Sequence, residues 1–423
     1  MRILFVSPYF PSDVDRAVFG VHKRMGMFIE ALKSMAFLDV LFYVPSRTDT
    51  SEAAVRGLER TLSKKWGASL QVTLCTNFNE FAGLPLLRKG GILARCVFGG
   101  ACNIFAGKLT IEFGGPRQVE ALEACLRRKP DAIFAHRLGA MNPILRTNQR
   151  LPPVFFDLDD VEHAKYRLRA PEMQLSGLRY HAQIPLIYWA EYRAVRRARR
   201  TFVCSDKDRD HLRNLFREKD IVTVPNAVHI ADILAVPPLP TLLFLGTYAY
   251  DPNRRAAEML IEQIWPRIHR AEPEAQLILA GPEPERIRHY RNDVPGVIFA
   301  GFVDDLPALY KNTRVVCCPV RAGGGTRIKI IEAAAFGKPV VSTSIGAQGL
   351  CFQDGRELLV RDDPREFSDA CLRLLRDPSY CERIGSAARA AASRAYDHKH
   401  TIRLIQQQFT EIAPGPEPSA LPQ

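Results

Sequence analysis

The chain has 423 residues, 47% of them hydrophobic and 25% charged, and carries a net charge of +12. Its length calls for two or three domains with large buried cores, and its composition is that of a soluble globular protein. Ten cysteines without a CxxC pair exclude zinc-ribbon spacing and a secreted disulfide framework, and fit reduced, cytosolic thiols. The excess of Lys and Arg points to an anionic partner: a phosphorylated substrate, a membrane surface or a nucleic acid.

In chain order, short apolar runs alternate with longer amphipathic stretches. "ILFV" (3–6) precedes a helical pattern that opens at Gly20 with "GVHKRMGMFIEALKSM". Further strands are expected at 40–44, 70–74, 132–135, 154–156, 201–204 and 222–225. The N-terminal apolar run is too short for a signal peptide. No stretch of about 20 uninterrupted apolar residues occurs, so no membrane-spanning helix is expected. The segment 84–108 is apolar, glycine-broken and basic, and reads as a surface element or a membrane-interface element. "RAVRRARR" (193–200) concentrates five arginines. The proline-rich 229–240 reads as a linker. The alternation then restarts, with strands expected at 241–246, 276–281, 297–302, 315–320, 339–343 and 357–360. Strands spaced by helices make parallel sheets. The expected organisation is an α/β chain of two Rossmann-like parallel-sheet domains facing a cleft. The first spans 1–228, with a C-terminal helix 397–412 packing back on it; the second spans 241–396, and a disordered tail covers 413–423. Functional residues should follow the strands.

One such place is "AGGGTRIKIIEAAAFGKPVV" (322–341). Gly323, Gly324 and Gly325 follow a strand, and Thr326 is the expected N-cap of a helix running to Phe336. Arg327 and Lys329 fall in its first turn. The positive end of the helix dipole disfavours cations there by about 0.3–1 kcal/mol each. A bound anion reverses that sign, and glycines let the backbone approach a phosphate closely. Glu332 lies one turn above Lys329 on the same face, at a spacing suited to a ribose diol. The loop is neither GxxxxGK[ST] nor GxGxxG.

The stretch "GGGTRIKIIEAAAFGKPVVSTSIGAQGL" resembles the donor-binding signature of retaining glycosyltransferases of family four, the "group 1" enzymes, which have the GT-B fold. "FLGTYAYDPNRRAAEMLIEQIWPRI", "LILAGPEP" and "VIFAGFVDDLPALYKNTRVVCCP" continue the resemblance in order. The first half adds "GVHKRMGMFIEALKSM", "PDAIFAHRLGA", "FFDLDDVE" and "VPNAV". The resemblance implies that Glu332 binds the donor ribose. It places the diphosphate on the amides of Gly325 and Thr326, beside Gly246, Gly323 and Gly324. It implies that His136, facing the cleft, contacts the donor sugar. Gly20, Asp159, Asp160 and Glu162 fall on the acceptor side. Two places depart from the family pattern: Gly324 stands where many members have a glutamate, and "TYAYDPNRR" lacks their Arg and Lys after the strand. Arg327 and Lys329 are the residues expected to neutralise the leaving diphosphate instead.

The implied activity is transfer of a hexose from a nucleotide sugar to a hydroxyl of a glycan or lipid-linked glycan, with retention, in cell-surface polysaccharide synthesis. "DLDD" (157–160) has oxygen ligands suited to Mg²⁺ or Mn²⁺. In the GT-B arrangement side chains carry the positive charge, so no metal and no other cofactor is expected. A cytoplasmic location is expected, on the inner face of a membrane if the basic cluster binds anionic lipid. The alternatives are a nucleotide-sugar epimerase of the same architecture and a non-enzymatic binder of nucleic acid or another anionic polymer. No stacked-aromatic or helix–turn–helix signal supports nucleic acid as a partner.

Overall fold

The computed structural model describes residues 1–11, 20–45, 47–76, 116–169, 174–230, 232–290 and 293–410. The apolar segment 84–108 and the tail 413–423 lie outside them.

The chain divides into two compact units, Met1–Val224 with the residues from Thr401 onward, and Pro225–His400. The first is built on a seven-stranded sheet in the order β3-β2-β1-β4-β5-β6-β7. Its strands are Arg2–Ser7, Phe37–Val44 and Leu70–Thr76 (β1–β3), then Ala132–His136, Val154–Asp157, Arg200–Val203 and Ile221–Thr223 (β4–β7). All pairs are parallel. Ile3, Leu4, Phe5 and Val6 are all 0% exposed, because helices cover both faces of a parallel sheet and leave no wet side. Local signals fix the helix ends. Ser51 caps Glu52–Trp66 by accepting from Ala54 N–H, and left-handed Gly67 closes it. Ser205 does the same at Asp206–Phe216, accepting from Asp208 N–H.

The second unit carries a six-stranded parallel sheet, β10-β9-β8-β11-β12-β13. Its strands are Thr241–Leu245, Gln276–Ala280, Val297–Gly301, Val315–Cys318, Val340–Ser342 and Leu359–Val360 (β8–β13). In each sheet the strand order reverses beside the first strand: between β1 and β4 in one, and between β8 and β11 in the other. Ligands of doubly wound sheets sit at the carboxyl ends of strands flanking such a reversal.

Two boundaries differ from the sequence reading. The chain passes from the first unit to the second after Val224 rather than after 228. The proline-rich stretch is no free linker. The Arg314 guanidinium donates to the carbonyls of Pro237 and Pro238, and Lys338 Nζ to that of Ala235. Both cations are buried, so these carbonyls satisfy groups that the interior would otherwise penalise. Near the return crossing, Val228 N–H donates to Tyr396 C=O, and His398 N–H donates to Val228 C=O.

The C-terminal helix His398–Thr410 belongs to the first unit from Thr401 onward. Its Phe409 is 0% exposed and packs 4.4 Å from the Phe155 ring, within a cluster that includes Phe134 and Phe202. Gln406 anchors the exposed side by donating to Ser34 Oγ. Removing an aromatic ring from such a site leaves a cavity that neighbours fill only partly. Phe409→Ala is expected to lower stability by about 3–5 kcal/mol. Urea titration read by far-ultraviolet circular dichroism checks this; an unchanged midpoint would show that the helix adds nothing to the core.

Candidate functional site

In the second unit the glycine-rich loop follows β11, on one side of the strand-order reversal. The helix after it spans Ile328–Ala335, with Arg327 as N-cap. Thr326, expected as the cap, sits one residue earlier and gives its oxygen to Asn226, whose Nδ2 donates at 2.9 Å. The helix ends as its sequence dictates. Gly337, at φ +70°, donates to Ala334 C=O, and Lys338 N–H to Ala333 C=O, the paired bonds of a Schellman closure.

The two cations of the motif have different fates. Arg327 turns back on its own loop, donating to the carbonyls of Gly324 (2.5 Å) and Gly325 (2.7 Å). Through Nη1 it braces the loop, and its charge stays beside the helix start. Lys329 reaches across to the end of β8. Its Nζ donates to Asn253 Oδ1 at 2.9 Å and lies 4.3 Å from the Phe244 ring centroid. It makes no ion pair among the described residues. Burial lowers its pKa to about 8, and the nearby positive charge of Arg327 adds to that effect.

Glycines leave room around Lys329. A Cβ on Gly246 would lie 2.8 Å from the Asn253 amide and 3.1 Å from Lys329 Nζ. A Cβ on Gly323, at φ +115°, would lie 2.8 Å from the Tyr250 hydroxyl. The arginines nearest in sequence to the family's missing cations stay on their own helix: Arg254 pairs with Asp251 and Glu258, and Arg255 with Asp251. Lys329 thus supplies from another element the positive charge that "TYAYDPNRR" lacks at the end of β8. Glu332 is half-buried, one turn beyond Lys329. It lies near Tyr310, whose phenol is pushed well up by burial and then by the Glu332 charge. The helix start leaves amides without acceptors. Free amides, an ammonium and a carboxylate one turn away form a surface that matches phosphate at one end and a diol at the other.

In the first unit the corresponding reversal brings Ser7, at the end of β1, to His136, at the end of β4, with Oγ and Nδ1 3.0 Å apart. The imidazole of His136 is enclosed, at 0% exposure, with the Phe5 and Tyr9 rings about it. His136 is still a strand residue, so its ring lies within the layer and not beyond the strand end. Its Nε2 is 3.8 Å from Asp157 Oδ2 and has no hydrogen-bond partner among the described residues. Burial, then the cations Arg137 and Arg24, holds its pKa well below the usual value, so the ring is neutral.

Arg24 and Asp157 are both buried at the centre of this site. The guanidinium grips the carboxylate through Nη2 (2.7 Å) and Nε (3.0 Å), and its Nη1 donates to Val224 C=O. Arg137 follows His136 with φ +71°, a conformation that costs a non-glycine residue energy. Its guanidinium binds Asp159 (2.5 Å), Asp160 (3.2 Å) and Glu162 (3.4 Å), bringing together the three carboxylates expected on the acceptor side. Lys165 also binds Asp160 and Glu162. The oxygens of "DLDD" are therefore taken by Arg and Lys. Among the described residues no group of three or more His, Cys, Asp or Glu is placed to hold a metal ion. Gly20 is exposed at the first position of the helix Gly20–Lys33.

Arg24, Arg137, Asn226 and Asn253 are site residues that the sequence reading does not single out. Arg24 has a signal: it sits one turn before Phe28, on the apolar face of its helix. The asparagines have none, since their partners lie 100 and 76 residues away.

Residues 20–227 match the glycosyl transferase 4-like domain, and residues 239–377 match the family described as glycosyl transferases group 1. A phosphatidyl-myo-inositol mannosyltransferase of Mycobacterium leprae is 30% identical over 209 residues, covering 46% of this chain and 54% of that protein. An alpha-D-kanosaminyltransferase of Streptomyces kanamyceticus is 24% identical over 237 residues, covering 50% of this chain and 60% of that protein. The chain thus spans about half the length of the curated relatives it matches. Anabaena HepE, solved with UDP and glucose, shares the fold with a TM-score of 0.61 at 16% identity, covering 97% of this chain and 98% of its own. Sucrose-phosphate synthase of Thermosynechococcus elongatus does so with a TM-score of 0.69 at 15% identity and the same coverage.

The Arg24–Asp157 pair makes a testable demand. Breaking a buried ion pair by removing one partner costs about 3–5 kcal/mol. In Arg24→Met the orphaned Asp157 carboxyl, already raised by burial, rises further and holds a proton that the unfolded chain does not hold. Stability of this variant should therefore recover as pH falls from 7 toward 5. Denaturant midpoints at the two pH values check this; a deficit equal at both would contradict it.

Proposed function

The chain belongs to the group 1 glycosyltransferases, family 4 of the GT-B fold, and from that premise we propose that it moves a sugar from a nucleotide-diphosphate donor to a hydroxyl acceptor. The observation that carries this reading is Lys329, held without a carboxylate partner among the described residues at the end of β8, beside the glycine loop and the start of the Ile328–Ala335 helix. The β-phosphate lies against the amides of Gly325 and Thr326 and the Lys329 ammonium, with Gly246, Gly323 and Gly324 giving it room. Glu332 accepts from the ribose diol. As the bond from the anomeric carbon to the β-phosphate oxygen breaks, its electron pair leaves with the diphosphate. The acceptor oxygen takes the carbon, and its proton passes to the leaving phosphate. Preorganised N–H groups and a cation stabilise the charge that develops. This reading requires no metal, because the chain supplies the positive charge itself.

Retention of configuration, a hexose donor and a glycan or lipid-linked glycan acceptor complete the proposal. Support for the acceptor class comes from the relative that acts on phosphatidyl-myo-inositol. The carboxylates Asp159, Asp160 and Glu162, fixed by Arg137, offer acceptors for its hydroxyls, with Gly20 on the same unit. For His136 the proposal is contact with the donor sugar through Nε2, which has no hydrogen-bond partner among the described residues. Association with the cytoplasmic face of an anionic membrane draws support from Arg197 and Arg199, which are exposed, and from Arg196, exposed but paired with Glu218. Arg200 is instead held by Gln408, and Arg193 is half-buried. No helix among the described residues is long and apolar enough to cross a membrane. None of the matches favours the epimerase or the anionic-polymer reading.

Two experiments test the reading. A screen of nucleotide sugars for slow hydrolysis should find one that the protein cleaves, and Glu332→Gln should weaken binding of that donor by about 1.5–3 kcal/mol, the value of a hydrogen bond to a charged group. A donor affinity unchanged in the variant would remove the ribose assignment. Lys329 adds a pH signature. It is charged below about 8 and neutral above, so nucleoside diphosphate affinity should fall as pH rises through that value. Lys329→Met should bind weakly with no such fall. A wild-type affinity level from pH 7 to pH 9 would contradict the role of Lys329.

A further inference from the structure

We propose that Asn226 is a positioning residue for the donor diphosphate, acting by aiming the hydroxyl proton of Thr326. The inference deepens the reading above and rests on it. Asn226 lies in "VPNAV", two residues past Val224, and is 4% exposed; Thr326 is 8% exposed. Asn226 Nδ2 donates to Thr326 Oγ1 at 2.9 Å.

Proton accounting gives this bond its consequence. A threonine hydroxyl has one proton and two acceptor sites. An amide N–H only donates, so the Thr326 oxygen is the acceptor and its own proton remains to be given. No described residue takes that proton. Were Thr326 the helix cap, its oxygen would face the amides of the first turn. The structure puts the cap at Arg327 and turns that oxygen to Asn226 instead. A hydroxyl that already accepts a hydrogen bond is polarised into a better donor. Thr326 follows the three glycines directly, so the available proton is a further donor to the anion that the loop amides and Lys329 receive.

Asn226→Asp is nearly isosteric and reverses the polarity. A carboxylate only accepts, so it claims the Thr326 proton and leaves oxygen lone pairs toward the anion. Thr326→Val removes the hydroxyl at almost constant shape.

Calorimetric titration of the full chain tests this, using the tightest-binding of UDP, GDP and ADP, with its parent nucleoside as control. Asn226→Asp is expected to weaken the diphosphate about 10- to 100-fold, from the usual strength of a charged hydrogen bond, with nucleoside affinity unchanged. Thr326→Val should show a loss of the same order. In the cycle built with the neutral Asn226→Ala, which adds no repulsion of its own, the double variant should lose no more than Thr326→Val alone, because the two act through one proton. Thr326→Ser should retain affinity. Should Asn226→Asp fail to fold, the Asn226→Ala cycle decides, with the same non-additivity expected. Additive losses, an equal loss for the nucleoside, or diphosphate binding within twofold of wild type in Asn226→Asp would each overturn the proposal. A wild type that binds its diphosphate no better than its nucleoside would overturn the parent reading and this inference with it.

Discussion

The second unit is organised by a close backbone approach at the end of β8. A Cβ on Gly281 would lie 1.8 Å from the carbonyl oxygen of Gly246, and Gly281 holds φ at +136°. Only glycine tolerates both demands. The approach lets β8 and β9 close tightly, with Gly246 N–H bonded to Ala280 C=O. It leaves the space above Gly246 to Asn253 and Lys329. The ammonium is therefore brought to the strand-order reversal by a helix that begins beyond the neighbouring strand. A charge that comes from a distant element needs a packed path, and the glycines clear it.

The two units treat buried charge in opposite ways. In the first, each central cation is matched: Arg24 by Asp157, and Arg137 by three carboxylates. Such pairs roughly offset their desolvation and fix geometry more than they stabilise. In the second, the half-buried Lys329 makes no ion pair among the described residues and is held by an amide oxygen and a ring face, which leave its charge in place. A matched charge makes a rigid platform. An unmatched charge suits an anion that comes and goes. Arg327, whose Nη1 is bonded to two carbonyls of the loop, braces that loop and keeps its charge there.

Much of this is legible in the chain. Every strand of both sheets is readable: the central ones, buried on both faces, appear as short apolar runs, and edge strands such as Leu70–Thr76 and Val297–Gly301 keep enough apolar residues to be seen. The glycine loop, Lys329 and Glu332 are readable because loop, helix start and helical spacing are local. The N-cap is misread by one residue. Thr326 has the better capping side chain, but a partner 100 residues away claims its oxygen. His136 is expected just after its strand and is instead the last strand residue, since the two positions look alike in sequence. Asn253 and Asn226 carry no signal, as only the fold sets their partners.

The central claim is that Lys329 and the loop after β11 receive the diphosphate of a nucleotide donor. The most direct test is the crystal structure of the protein with a nucleoside diphosphate bound. The account predicts the β-phosphate within hydrogen-bond distance of the Gly325 or Thr326 amide and of Lys329 Nζ, with the ribose hydroxyls at Glu332. A diphosphate bound elsewhere, with Lys329 still directed at Asn253 alone, would contradict it.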